Sequence, residues 1–159
     1  MIRYTKQFDE SSCGPISVIN AIKWVGVSIN RKSNLSYFRK IAKCDKHGTA
    51  HWDLDLLLSV KAKPHLNIKK YIFVTWSLIK KHLQKDGIVI LRHGWDKYSD
   101  AGHYTLITHL TSKKVGVVNY FHDGPAYRLI DQETLKKIIS VVRPSGKKAI
   151  CWLLSKPQK

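Results

Sequence analysis

A chain of 159 residues has room for one domain with a core of its own, so disulfide staples are not required and a two-domain layout is disfavoured. Lys and Arg number 28 against 11 Asp and Glu, a formal net charge of +17 that favours acidic or polyanionic partners and a monomer over self-association. Hydrophobic residues make up 43%, with five Trp and seven Tyr, which excludes a disordered basic tail and puts the charges on a folded body.

Three cysteines, Cys13, Cys44 and Cys151, are an odd number at wide spacing. That argues against a secreted disulfide framework and fits a reducing compartment. The first ten residues lack the apolar stretch of a signal peptide, and no run approaches the ~18 apolar residues of a membrane span. A cytoplasmic location is therefore expected.

No repeat or Pro/Gly/Ser linker interrupts the chain, and residues 1–159 read as a single domain. Behind Ser12-Cys13-Gly14-Pro15, the residues Ile16, Val18, Ile19, Ile22 and Val25 recur at helical spacing. Pro15 suits a first helical turn, where its missing N–H costs nothing, so Cys13 is expected at a helix N-terminus. Further helices are expected over about Asn34–Cys44, with Ser33 as a cap, and Asp53–Lys61. Beyond residue 68 the pattern predicts a short strand at Tyr71–Thr75, a helix at Ser77–Lys85 and a buried strand at Gly87–Arg92. Strands follow at His103–Thr111, Val115–Tyr120 and Ala126–Ile130. A helix capped by Asp131 runs to Val142, and a strand at Ala149–Leu154 closes the chain. Helices first and strands after predict an α+β fold, a helical half against a twisted antiparallel sheet.

A thiol at a helix N-terminus faces unpaired amides and the positive end of the helix dipole, both of which favour the thiolate. Cys13 is thus a candidate nucleophile. His103 opens a strand after Gly102, a position from which an imidazole can act as base. Asn119 ends the neighbouring hairpin strand and is a candidate for orienting that imidazole. Gln7, six positions before Cys13, can share an oxyanion site with the Cys13 amide. Asp123 is an alternative orienter, although Asp in His122-Asp123-Gly124-Pro125 is also an ordinary turn residue.

The run Gln7-Phe8-Asp9-Glu10-Ser11-Ser12-Cys13-Gly14-Pro15, then Gly102-His103-Tyr104, then Val115-Gly116-Val117-Val118-Asn119, resembles the papain-like bacteriocin-processing peptidases that cut after double-glycine leaders. The resemblance spans nearly the whole chain and implies a papain-like fold, a Cys13-His103-Asn119 triad with Gln7 as oxyanion donor, and hydrolysis of a peptide or isopeptide bond. It implies no cofactor. Two departures stand out: Ser12 replaces the family's usual Asp, and Asn119-Tyr120 replaces its usual Asp-Pro. A catalytically inactive peptide-binding module and a basic nucleic-acid-binding protein with a relict site are the competing readings.

Other signals are weaker. Cys44, His47 and His51, with Asp53 behind them, have metal-like spacing but fall short of a four-ligand zinc set, so no metal is expected. Trp95, Tyr98, Ser12 and Gly102 are candidates for lining a substrate groove. The paired lysines, among them Lys69-Lys70 and Lys113-Lys114, read as a dispersed solvated face, leaving peptide substrates, acidic ones by charge, and non-specific polyanion contact as the expected partners.

Overall fold

The computed structural model describes residues 2–94, 98, 101–121 and 124–157. Helix α1 (Cys13–Trp24) is buried from Cys13 to Ile22, on every face. Its apolar residues alone do not explain that burial, because Ser17 and Asn20 are buried with them. Both are bonded. Ser17 Oγ donates to the Tyr104 carbonyl at 3.4 Å, and Asn20 bonds both backbone groups of Thr5, accepting from its N–H at 2.7 Å and donating to its C=O at 2.9 Å. A buried polar side chain is tolerated when so partnered, and here it ties the N-terminal segment to the central helix.

Helices α2 (Arg31–Ile41) and α3 (His51–Leu57) pack on α1, and α3 continues into a π-helical turn at Leu58–Ala62. Then come β1 (Asn67–Tyr71), α4 (Trp76–Leu83), β2 (Ile88–His93), β3 (His103–Leu110), β4 (Lys114–Val118), β5 (Tyr127–Asp131), α5 (Gln132–Ser140) and β6 (Ile150–Ser155). The six strands form one sheet in the order β1-β6-β2-β3-β4-β5, antiparallel throughout. This is the expected α+β class.

Helices cover both faces of the sheet, where one helical half was expected. Ile88 and Ile90 of β2 pack with α1, whereas Val89 and Leu91 pack with Ile79 and Leu83 of α4 and Leu135, Ile138 and Ile139 of α5. A strand covered on both faces loses the apolar/polar alternation, which is why Ile88–Leu91 reads as an unbroken apolar run. Cys151 lies in the second core, as its apolar surroundings predict.

The expected strand at Tyr71–Thr75 is displaced. Pairing of Asn67 with Ser155 and of Tyr71 with Cys151 places β1 four residues earlier, and Thr75 instead caps α4, its Oγ1 accepting from Leu78 N–H at 3.2 Å. The misleading signal is the run Ile72-Phe73-Val74, whose Phe73 is 78% exposed. Asp131 stands at the N-cap of α5 but makes no side-chain cap bond, and Ser33 falls inside α2 rather than before it. Among the described residues, no helix is long and apolar enough to cross a membrane.

Candidate active site

The loop before α1 is shaped by Asp9, which the sequence did not single out. Its carboxylate accepts from the amides of Ser11 and Ser12 at 2.9 and 2.7 Å, and from both hydroxyls at 3.1 and 2.8 Å. Arg39 lies 3.6 Å away. Partial burial pushes the Asp9 pKa up, but the bonds from Ser12 and Ser11 outweigh it and hold it below the ordinary carboxylate value. The readable signal was an Asx turn, an Asp followed two and three residues on by serines. Ser12 is wholly buried in this knot and is a strut of the loop rather than a groove wall.

The knot delivers Cys13 to the first position of α1, as expected. Gly14 makes the approach possible: a Cβ there would sit 3.1 Å from the Thr49 Cβ and 3.3 Å from Leu54. The Cys13 sulfur faces the amides of Tyr104 and Gly14 and its own. Burial nevertheless dominates, and the thiol, 3% exposed, is pushed up to about 11 despite those amides. Desolvation of the anion therefore overrides the helix terminus that the sequence reading relied on.

His103 begins β3, one residue before the Tyr104 amide that faces the thiol. Its Nε2 lies 2.7 Å from the main-chain carbonyl oxygen of Asn119. A carbonyl only accepts, so Nε2 carries the hydrogen and the lone pair of the neutral ring is on Nδ1. His103 and Asn119 thus come together as expected, but through the backbone rather than through the carboxamide. The Asn119 side chain turns to the N-terminal segment, Oδ1 accepting from Gln7 N–H at 3.0 Å and Nδ2 donating to the Thr5 carbonyl at 3.0 Å. Its φ of +54° lies in the left-handed region, which Asn tolerates better than most residues and which aims the carbonyl at the imidazole.

Gln7 is 1% exposed and its Nε2 donates to the Asp9 carbonyl, using one of its two hydrogens. Its Oε1 is buried with no hydrogen-bond partner among the described residues.

A second imidazole supports His103. The ring of His93 sits edge-on to it, with centroids 5.7 Å apart, and stacks on Tyr120 at 6.5 Å. His93 Nδ1 is 3.1 Å from the Gly94 carbonyl and must donate, so Nε2 accepts from the Thr105 hydroxyl at 3.0 Å. Burial first, then the charge on His103, depresses its pKa to about 3, and His93 stays neutral. Ahead of His103, a Cβ on Gly102 would meet the Arg92 guanidinium at 2.8 Å and that of Arg143 at 3.1 Å, so the glycine admits two cations against the backbone next to His103. Sequence spacing carries no signal for His93 or Arg143, because both arrive through strand pairing and a distant loop.

Tyr98 is 81% exposed, and Trp95 and Asp123 lie outside the described residues. Cys44 Sγ donates to the Ser11 carbonyl at 3.2 Å, bracing the Cys13 loop. Among the described residues, no three His, Cys, Asp or Glu side chains converge as a metal site.

No protein-family model and no curated protein sequence matches the chain. Solved structures do. The peptidase domain of Streptococcus ComA, a bi-functional ABC transporter of a quorum-sensing pathway, superposes with a TM-score of 0.71 at 14% identity, covering 99% of this chain and 100% of that one. A double-glycine-motif protease from an AMS/PCAT transporter, seen with its leader peptide, gives 0.64 at 15% identity over 99% and 93% of the two chains. The peptidase domain of Streptococcus mutans ComA gives 0.60 at 12% identity over 96% and 98%. Over essentially its whole length, the chain has the α+β fold of the C39 papain-like peptidase domains.

Proposed function

We propose that this chain is a cysteine peptidase that hydrolyses a peptide bond, with Cys13 as nucleophile, His103 as base and Gln7 as oxyanion donor. The observation that carries the reading is the meeting of two elements: the Cys13 thiol faces the Tyr104 amide, and the adjoining His103 is held by Asn119 in the tautomer that leaves Nδ1 basic. C39 peptidase domains as structural neighbours agree with it.

Because burial keeps the thiol protonated, the proton moves as substrate is attacked rather than beforehand. His103 Nδ1 takes the Cys13 proton as sulfur bonds to the carbonyl carbon. The oxyanion is met by the Cys13 amide and the second Nε2 hydrogen of Gln7. The C–N bond then breaks and the same proton goes to the leaving amine. Water, deprotonated by His103, cleaves the thioester and restores the thiol.

The test is turnover of a fluorogenic peptide library by the wild type and by Cys13→Ala. Turnover that disappears in the variant supports the assignment, and turnover that survives overturns it. The burial of Cys13 favours a second reading, a peptide-binding module without catalysis. Peptide binding by a wild type that turns over no library member would establish that reading in place of the first.

A further inference from the structure

Two arginines converge where the sheet meets the thiol. Arg92, near the end of β2, pairs with Tyr104 of β3, the residue whose amide faces the Cys13 sulfur, and its guanidinium lies over the Tyr104 ring, 5.9 Å from the centroid. Arg143 arrives from the loop after α5 and is 2% exposed, fixed by the carbonyls of Lys147 and Lys148, which accept from its Nε at 3.4 Å and its Nη2 at 3.3 Å. Both guanidiniums close on one point. A Cβ on Gly102 would stand 2.8 Å from Arg92 Nη2 and 3.1 Å from Arg143 Nη1, so the glycine that the sequence offered as a groove residue carries two forks at its back.

Among the described residues Arg92 makes no ion pair, and its Nε is buried without a hydrogen-bond partner. Asp55, the carboxylate that acts on both His51 and Tyr104, is already held by Lys70 and by the Trp152 indole at 2.7 Å. The positive potential therefore reaches the neighbouring rings. Partial burial first, then Lys70, Arg92 and Arg143, lower the pKa of His51 against the pull of Asp55, and the same two arginines act in that direction on His93. A desolvated guanidinium without a counter-ion is costly, and its planar fork of donors matches a carboxylate in two parallel hydrogen bonds.

We propose that Arg92 and Arg143 form a subsite for a carboxylate side chain of the substrate, close to the bond that is cut. The proposal rests on the peptidase reading, which brings a polypeptide to Cys13, and adds the class of residue that the cleft selects. Gly102 and Tyr104 stand two residues apart, at most ~7 Å along an extended strand. A peptide lying beside β3 with its scissile carbonyl at the thiol thus brings its second residue from that bond to the arginines. Asp or Glu at that position makes the preferred substrate.

The test is a positional-scanning library of internally quenched peptides, with Glu, Gln or Lys fixed in turn at each of three positions on either side of the cleaved bond, which mass spectrometry of the products locates. For the wild type, kcat/KM is highest with Glu two residues from that bond, about thirtyfold above the isosteric Gln. Arg92→Met lowers this Glu/Gln ratio to about threefold or less, and Arg92→Glu turns the preference toward Lys. A ratio cancels any general loss of activity in a variant. Lys113→Met, in the turn at the far end of β3, keeps the wild-type ratio. A wild-type ratio near one, the result when a carboxylate of the chain itself engages the pair, overturns the proposal. So does a Glu preference confined to other positions, or one that Arg92→Glu leaves in place. Failure to turn over any peptide removes the peptidase reading, and the subsite is then read from fluorescence anisotropy of the labelled Glu and Gln peptides on the Cys13→Ala protein. Tighter binding of Glu that Arg92→Met abolishes keeps the subsite, and equal affinity removes it.

Discussion

His103 Nε2 lies 2.7 Å from the main-chain oxygen of Asn119, while the carboxamide of the same asparagine holds the amide of Gln7 at 3.0 Å. One residue thus fixes the tautomer of the proposed base with its backbone and the segment carrying the proposed oxyanion donor with its side chain. Asn119→Gly separates the two, since glycine accepts a φ of +54° and retains the carbonyl. We expect kcat to fall no more than about tenfold, with the acidic limb of the pH–rate profile in place. A loss of about 10³-fold or more together with a displaced acidic limb would show that the carboxamide is the orienting group.

Gln7→Leu removes the proposed oxyanion donor together with the buried, unpartnered Oε1. Losing the bond to the Asp9 carbonyl costs about 1 kcal/mol, and relieving the orphan acceptor offsets roughly as much. Stability should therefore be nearly unchanged by differential scanning calorimetry while kcat falls about 10²–10³-fold. A large drop in Tm with kcat intact would make Gln7 purely structural.

Cys13 titrates near 11 in the free protein, so the thiolate is scarce at neutral pH. Alkylation of Cys13 by iodoacetamide, followed by peptide mass spectrometry, is expected to be slow at neutrality and to climb as pH rises toward that value. A fast plateau at neutral pH would mean that the thiol and His103 form an ion pair before substrate arrives.

His93 links the site to stability against acid. Its folded pKa, about 3, lies below the ordinary 6.5, so between those values the unfolded chain binds a proton that the folded chain refuses. Stability contributed by the neutral ring is complete above 6.5 and declines as pH falls toward 3. The double variant His93→Phe/Thr105→Val removes both partners of that hydrogen bond and should flatten this part of the urea-midpoint profile. An unchanged slope would place the dependence on other groups.

Asp9 offers a separate handle on the nucleophile loop. Asp9→Ala leaves the amides of Ser11 and Ser12 without their acceptor and releases Arg39. The expected loss is about 1 kcal/mol by urea denaturation, with kcat/KM reduced because Cys13 is less well placed. Wild-type kinetics in this variant would show that α1 positions the thiol unaided.

The positions of Cys13 at a helix start and His103 at a strand start, the class of fold and most elements were legible in the sequence because they rest on local physics. Apolar spacing and Pro15 mark the helix that Cys13 begins, and Gly102-His103 followed by an apolar run marks the strand that His103 begins. Where local physics was ambiguous, the reading slipped: Ile72-Phe73-Val74 has strand chemistry, yet pairing with β6 stops β1 at Tyr71. The α4/α5 layer was hidden because strands buried on both faces show no period. Only the tertiary structure decided how the site is wired. A backbone carbonyl accepts as well as a carboxamide does, so composition cannot reveal which part of Asn119 meets His103. Burial set the state of the Cys13 thiol against the helix terminus, because desolvation depends on everything packed around the sulfur. Five of the 28 Lys and Arg, namely Lys63, Lys69, Lys70, Lys85 and Lys156, line one groove because β1 begins, and β6 and α4 end, at the same side of the sheet, a convergence that spacing along the chain does not show.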